Sequence, residues 1–242
     1  MSTDIVTSQT TPVRDDTAVI PPLENGDRLT RAEFYRRWEA MPEVKHAERI
    51  EGVVYMAAAV RRESHGRPHY RIIGWLNAYE AETPGTEGGD NTTLQLDLHN
   101  DPQPDVYLLI DPACGGQCEF TDDDYIAHGP ELIVEISASS ASRDLHQKFD
   151  AYRRNGVKEY IVWKTLEEEI VWFRLQDGVY RKVEAGLDGV FKSEVFPGLW
   201  LDAPAMLRGD LKQVLTKLHE GIATEQHGTF VKHLESQLTT DN

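Results

Sequence analysis

The chain has 242 residues, 40% of them hydrophobic and 27% charged, which suits one globular domain with tails. Its 41 acids outnumber 25 bases and leave a net charge of −16, which argues against a non-specific nucleic-acid coat built on clustered Lys and Arg. No apolar run approaches membrane-spanning length, no basic-then-apolar leader is read at Met1-Ser2-Thr3-Asp4, and two cysteines make no disulfide framework, so a cytoplasmic protein is expected.

Residues 1–27, rich in Thr, Ser, Asp and Pro, read as a disordered leader. A domain is expected over 28–215, and a polar, partly helical tail over 216–242. Thr30 and Glu33 form a capping box, with Leu29 and Phe34 as its hydrophobic staple, so a helix starts there and ends near Met41-Pro42. Glu48 to Met56 reads as a hairpin turning at Glu51-Gly52. A helix is expected from Pro68 to Glu82, with Tyr70, Ile73, Leu76 and Ala81 on one side, closed by Pro84-Gly85. Thr93 to Leu98 alternates as a half-buried strand should.

Asp105 to Asp111 is the next expected strand, followed by a loop over 112–129. Glu131 to Ser137 is a strand and Ser139 to Ser142 a turn. Asp144 to Asn155 is a helix closed by Gly156, and Tyr160 to Trp163 a further strand. Strand, helix and strand in this order predict parallel pairing through a right-handed crossover. Ile170–Leu175 and Val179–Val183 form a hairpin around Gln176-Asp177-Gly178, and Val190 to Leu201 adds an edge interrupted at Pro197-Gly198. The sum is an α/β protein of mixed α+β character.

Three residues carry the chemistry. Asp105 follows Pro104 at a strand start, and Glu135 shares a strand face with Ile133 and Ser137. Lys148 shares a helix stripe with Leu145, Phe149 and Tyr152. Acids within apolar strands are costly to bury without a partner, and a divalent cation is such a partner. Taken singly, Asp105 reads as a turn residue, Glu135 as an ion-pair partner and Lys148 as a snorkelling lysine. Their order along one chain favours a metal-dependent phosphodiesterase site.

Around these, His65 and His69 are four apart, with His65 placed before the helix by Pro68. His69 reads as a site-wall or phosphate contact, or as a structural residue. Arg61, Arg62, Arg67 and Arg71 read as a phosphate-attracting patch or as a solvated basic loop. Cys114 and Cys118 lack the second ligand pair that zinc wants, and Asp122-Asp123-Asp124 lacks calcium-loop spacing.

The chain resembles a bacterial family of putative restriction endonucleases within the PD-(D/E)XK nuclease superfamily. The matching segments are Glu48-Arg49-Ile50-Glu51-Gly52, Pro68-His69-Tyr70-Arg71-Ile72, Gln103-Pro104-Asp105 and Leu132 through Lys148 to Tyr152. Arg153 to Tyr160 and Phe196-Pro197-Gly198-Leu199 also match, so the likeness spans roughly residues 29–205. It implies a restriction-endonuclease-like central mixed sheet flanked by helices, with added hairpins, and Mg²⁺- or Mn²⁺-dependent hydrolysis of nucleic acid, DNA above all. It also implies Asp105, Glu135, the Ile136 carbonyl and Glu48 as metal ligands, with Asp105, Glu135 and Lys148 catalytic. His69, Arg71, Ser137 and Tyr152 are candidate substrate contacts, with Tyr152 reading better as core. The superfamily's usual lysine, two residues after the glutamate, is Ser137 here, and Lys148 looks like its relocated substitute. Ala138 stands where the family typically has a larger residue before a proline. The rival reading is a catalytically inactive binding or regulatory module on the same scaffold; a homodimer is left open.

Overall fold

The computed structural model describes residues 19–56, 59–138 and 144–238, and the Ser139–Ser142 turn lies outside them. Six strands form the central sheet. In chain order they are β3 (Thr86–Asp90), β5 (Val106–Ile110), β8 (Leu132–Ser137), β9 (Glu159–Lys164), β10 (Glu169–Gln176) and β11 (Val179–Lys182). The spatial order is β11-β10-β9-β8-β5-β3; β8 and β9 are parallel and the other neighbours antiparallel. The expected parallel pair is therefore present. Its connection is a π-type turn, Asp144–Lys148, running into the helix α3 (Phe149–Arg154).

Alternation along β8 assigns its two faces. Leu132, Val134 and Ile136 pack with Ile72, Trp75, Leu76 and Tyr79 of α2 (Arg67–Glu80) and with Val214 and Leu218 of α5 (Leu211–Ile222). Ile133 packs on the opposite face with Tyr107, Leu109, Tyr152 and Tyr160. The buried stripe of α2 thus differs from the expected one. Tyr70 is 74% exposed, while Ile72, Trp75 and Tyr79 face the sheet, because Trp75 donates to the Trp200 carbonyl and Tyr79 to the Pro197 carbonyl.

Helix α1 (Arg31–Glu39) begins at Thr30, whose hydroxyl accepts from the Glu33 N–H. Glu33 turns outward to Arg36 and Arg37 instead of completing the capping box. Strands β1 (Ala47–Ile50) and β2 (Val53–Met56) make the expected hairpin, with Glu51 and Gly52 both at positive φ as its tight turn requires. Arg49 and Asp101 form a fully buried ion pair that Arg31 joins, so α1, β1 and the chain before Asp105 are tied together.

Three expectations need correction. The strand expected over 93–98 is reduced to β4 (Leu94–Gln95) and a single bridge between Asp97 and Asn100, because Asp97 turns the chain through its bonds to His99 and Asn100. The loop expected over 112–129 contains a 3₁₀ turn, Pro112–Cys114, and strands β6 (Glu119–Phe120) and β7 (Ile126–Ala127) that build a small sheet with β4. The edge expected over 190–201 is a separate pair, β12 (Val190–Lys192) with β13 (Trp200–Asp202), turned by Gly198 at φ 89.

At the C-terminal end, α4 (Ala203–Arg208) leads into α5, which runs through the boundary expected at 215. Helix α6 (Glu225–Leu238) buries His227 and Leu234. Leu23 is likewise buried, inside the segment expected to be a leader. Thr83 donates its hydroxyl proton to the Tyr79 carbonyl, so an oxygen lone pair meets His227 Nε2 at 3.0 Å. Burial lowers the pKa of His227 below its ordinary 6.5. An unfolded chain therefore takes up a proton that the folded ring resists, and this stability is present above pH 6.5 and lost as pH falls through the folded pKa. Between about pH 7 and pH 5, wild type should lose more Tm than His227→Gln; equal losses would show that His227 does not couple α6 to pH.

Candidate active site

Sheet register brings the two acids together. Val106 pairs with Val134 across β5 and β8. One step further along that antiparallel register sets Asp105 opposite Glu135, on the face that carries Ile133 and Tyr107. Asp105 Oδ2 accepts from the Ile136 N–H at 2.6 Å, which fixes the carboxylate against the strand end. Its other oxygen meets His65 Nε2 at 2.9 Å, and its carbonyl meets His69 Nε2 at 2.8 Å.

The lysine arrives from the helical side. The turn Asp144–Lys148 places Lys148 Nζ 2.9 Å from Glu135 Oε1 and 2.5 Å from Glu48 Oε1. Its side chain is 3% exposed, against 4% for Glu135 and 12% for Glu48. Tyr152, fully buried one turn on, donates to the same Glu135 oxygen at 2.8 Å. Glu48 also accepts the Gln103 N–H at 3.0 Å, and Tyr55 donates to Gln147 at 2.8 Å. The β1–β2 hairpin is thereby tied to the Gln103-Pro104-Asp105 segment and to the Lys148 turn.

Burial pushes the Asp105 pKa up, but the hydrogen bond and charge of His65, the Ile136 N–H and Lys148 together outweigh it and hold the carboxyl below its ordinary value. The Tyr152 hydroxyl moves the other way: burial and the neighbouring Glu135 raise it well above 10, so it remains a proton donor to Glu135.

The structure gathers Asp105, Glu135, Lys148, Glu48 and the Ile136 backbone, and adds His65, which sequence reasoning set aside as lying before the helix. A π-type turn over Arg62–Gly66 continues into α2 and carries His65 onto the face of His69, with the ring centres 5.5 Å apart. The spacing of four was the signal, masked by Pro68. Arg71, two residues from His69 and so about 200° around the helix, faces elsewhere. Ser137 is fully buried, and its carbonyl accepts from the Thr165 N–H at 2.9 Å. Neither Ser137 nor Tyr152 stands at the surface.

Donor chemistry can be set against a divalent cation. Among the described residues, no three His, Cys, Asp or Glu side chains form a ready-made metal group, and Lys148 spans Glu48 and Glu135. The oxygens of Asp105, Glu135 and Glu48 are nonetheless hard ligands of the right kind. Glu48 and Glu135 share one ammonium, and Asp105 keeps the His65 ring beside it. Cys114 and Cys118 are buried free thiols; burial raises both, Cys118 to about 12, which opposes thiolate ligation.

A mixed sheet flanked by helices, with buried acids and a lysine at the ends of β5 and β8, is a restriction-endonuclease-like architecture. Residues 32–204 match the Uma2 family, described as putative restriction endonuclease, and the chain belongs to that family. Its fold is similar to the crystal structure of a putative nuclease of the DUF820 group from Anabaena variabilis. The TM-score is 0.51 at 12% identity, over 76% of this chain and 97% of that one. No curated protein sequence matches the chain. Among the described residues no helix is long and apolar enough to cross a membrane.

Removing the ammonium should expose what it balances. Lys148→Met leaves Glu48 and Glu135 buried without their cation and should cost about 3–5 kcal/mol in denaturant unfolding, much of it recovered by adding Glu135→Gln. A loss below about 1 kcal/mol, or no recovery, would mean that Lys148 is not the counter-charge of this cluster.

Proposed function

We propose that this protein is a divalent-metal-dependent endonuclease that hydrolyses phosphodiester bonds in DNA. The observation that supports this most is the cluster itself: Asp105 and Glu135 at adjacent strand ends, with Lys148 on Glu135 at 2.9 Å. Membership of a family described as putative restriction endonuclease points the same way.

Asp105, Glu135 and the Ile136 carbonyl, with Glu48, would hold Mg²⁺ or Mn²⁺. Such a cation, when bound, supplies positive charge to the phosphate and acidifies water. The chain's own residues do the rest. His65 and the Ile136 N–H keep Asp105 ionised and oriented. Tyr152 fixes Glu135, and Glu135 holds the Lys148 ammonium where it can orient the attacking water or offset charge growing on phosphate oxygens. Water forms one P–O bond as the bond to the leaving oxygen breaks; the products are a phosphate monoester and an alcohol, and one proton passes to the leaving oxygen.

A second reading has one observation in its favour. Lys148 is closed on two carboxylates, Glu48 as well as Glu135, as it would be in a scaffold retained for binding alone. Incubating supercoiled plasmid and single-stranded circular DNA with Mg²⁺ or Mn²⁺ separates the two. Wild type should nick DNA, and Asp105→Asn and Glu135→Gln should each be slower by at least about a hundredfold. Wild-type cutting no faster than these variants would remove the nuclease and leave the binding module.

A further inference from the structure

Arginines in so acidic a protein should find carboxylates, and most do. Arg31 and Arg49 hold Asp101, Arg36 and Arg37 hold Glu33, and Arg174 holds Glu159. Arg71 and Arg208, like Arg28, Arg61 and Arg181, have no ion-pair partner among the described residues. Arg71 and Arg208 stand beside an open groove of about 610 Å³ between the start of α2 and the junction of α4 with α5, or its continuation. Arg62, Arg67 and Arg71 line the groove, and no acid does. Its volume lies in the range of about 300–1,000 Å³ that ligand-sized sites occupy, well short of a seat for a duplex.

Two features describe the groove wall. Gly209 ends α4 at φ 79, a backbone that favours glycine, and lies directly against the Arg71 guanidinium. Tyr70, 74% exposed, forms part of the wall, a large aromatic face kept in water. Arginines and an exposed aromatic ring lining one groove match a phosphate chain carrying a flat base.

The groove runs on along the α2 side of the sheet, the face opposite the one that carries Asp105 and Glu135. Its continuation, about 290 Å³, is lined by Arg67, Arg71 and Arg208 and reaches Trp163 and Thr165. Glu63 and Glu168 line it too; Glu63 is already held by Arg62 and Arg67. Thr165 donates its hydroxyl to the Ser64 carbonyl at 2.8 Å, and its N–H to the Ser137 carbonyl. Ser64 adjoins His65, and Ser137 follows the Glu135-Ile136 pair.

We propose that this groove binds an unpaired nucleic-acid strand, its phosphates on Arg62, Arg67, Arg71 and Arg208 and a base stacked on Tyr70. The proposal rests on nucleic acid being the substrate, and it extends that reading from the cutting site to a strand-binding track. A stacked base must be free of its partner, so single strands, frayed ends or opened segments are the ligand class, and a closed duplex is not.

Fluorescence anisotropy in EDTA tests this without cleavage, using the full chain with a labelled oligo(dT) of about 15 nucleotides and a hairpin duplex of similar length. Wild type should bind the single strand at least tenfold more tightly than the duplex. Arg71→Ala with Arg208→Ala should weaken single-strand binding at least tenfold and flatten the dependence of log Kd on log salt by about 1.4, two contacts at about 0.7 each. Tyr70→Ala should weaken it about tenfold, and Tyr70→Phe should restore it. Tyr70 and Arg208 are exposed and Arg71 is half-buried, and each variant is used only where it unfolds cooperatively at the wild-type Tm. Unchanged affinity and salt slope, or a duplex bound as tightly as the single strand, overturns the groove. Plasmid cleavage is scored separately. A protein that cuts DNA while the groove variants bind as wild type does loses the groove and keeps the nuclease. One that binds oligo(dT) through the groove and cuts nothing loses the nuclease and keeps the groove.

Discussion

A lysine ammonium withdrawn from water has to be met by negative charge, and Lys148 is met by two carboxylates from two different parts of the chain. Glu135 comes from the end of β8 and Glu48 from the β1–β2 hairpin. The contact therefore does architectural work as well as chemical work. It pins the turn that crosses from β8 to β9, and it draws the N-terminal hairpin onto the sheet. Tyr152 and Gln103 add hydrogen bonds to the same two carboxylates. Loosening the ammonium would release the crossover, the hairpin and the Asp105 segment together.

Not every buried acid in this fold has that character. Glu131 is fully buried, yet it accepts the N–H groups of Ile110 and Gln117 and fastens the loop before β6. Glu159 is fully buried too, with the Ser193 hydroxyl, the Glu194 N–H and Arg174 around it. In both cases the protein's own donors meet the carboxylate locally, which is a structural solution. In the cluster, one ammonium is shared between Glu48 and Glu135 while Asp105 stands beside them with His65. Three carboxylates converging on one point, more than burial, separate a candidate metal site from a buried strut.

Much of this was legible in the sequence where local periodicity and tertiary packing agree. Alternation along Leu132 to Ser137 assigned Glu135 to its face, and the Leu145-Lys148-Phe149-Tyr152 stripe assigned Lys148 to the sheet side. Both assignments match the structure because each element buries one apolar face. The failures have physical causes. Strand β3 was invisible because Thr86–Asp90 contains Gly88 and Gly89 and little β-forming side chain. Those glycines are there for proximity: a Cβ on Gly89 would stand 2.8 Å from Tyr107 Cε1, and one on Gly88 2.9 Å from a Glu80 carboxylate oxygen. His65 was set aside because Pro68 suggested a helix start, whereas a π-type turn carries the histidine to Asp105. Arg208 reaches the groove from a part of the chain about 140 residues after Tyr70, a distance that no local pattern spans.

The central claim is that the carboxylate cluster around Lys148 is built to accept one divalent cation. Calorimetric titration of the full chain with Mn²⁺ addresses it without depending on turnover or on the identity of the substrate. The account predicts a single site, lost when Asp105→Ala and Glu135→Ala are combined in a protein that still unfolds cooperatively. Mn²⁺ binding that survives the double substitution would contradict it, and would place any metal chemistry of this fold elsewhere.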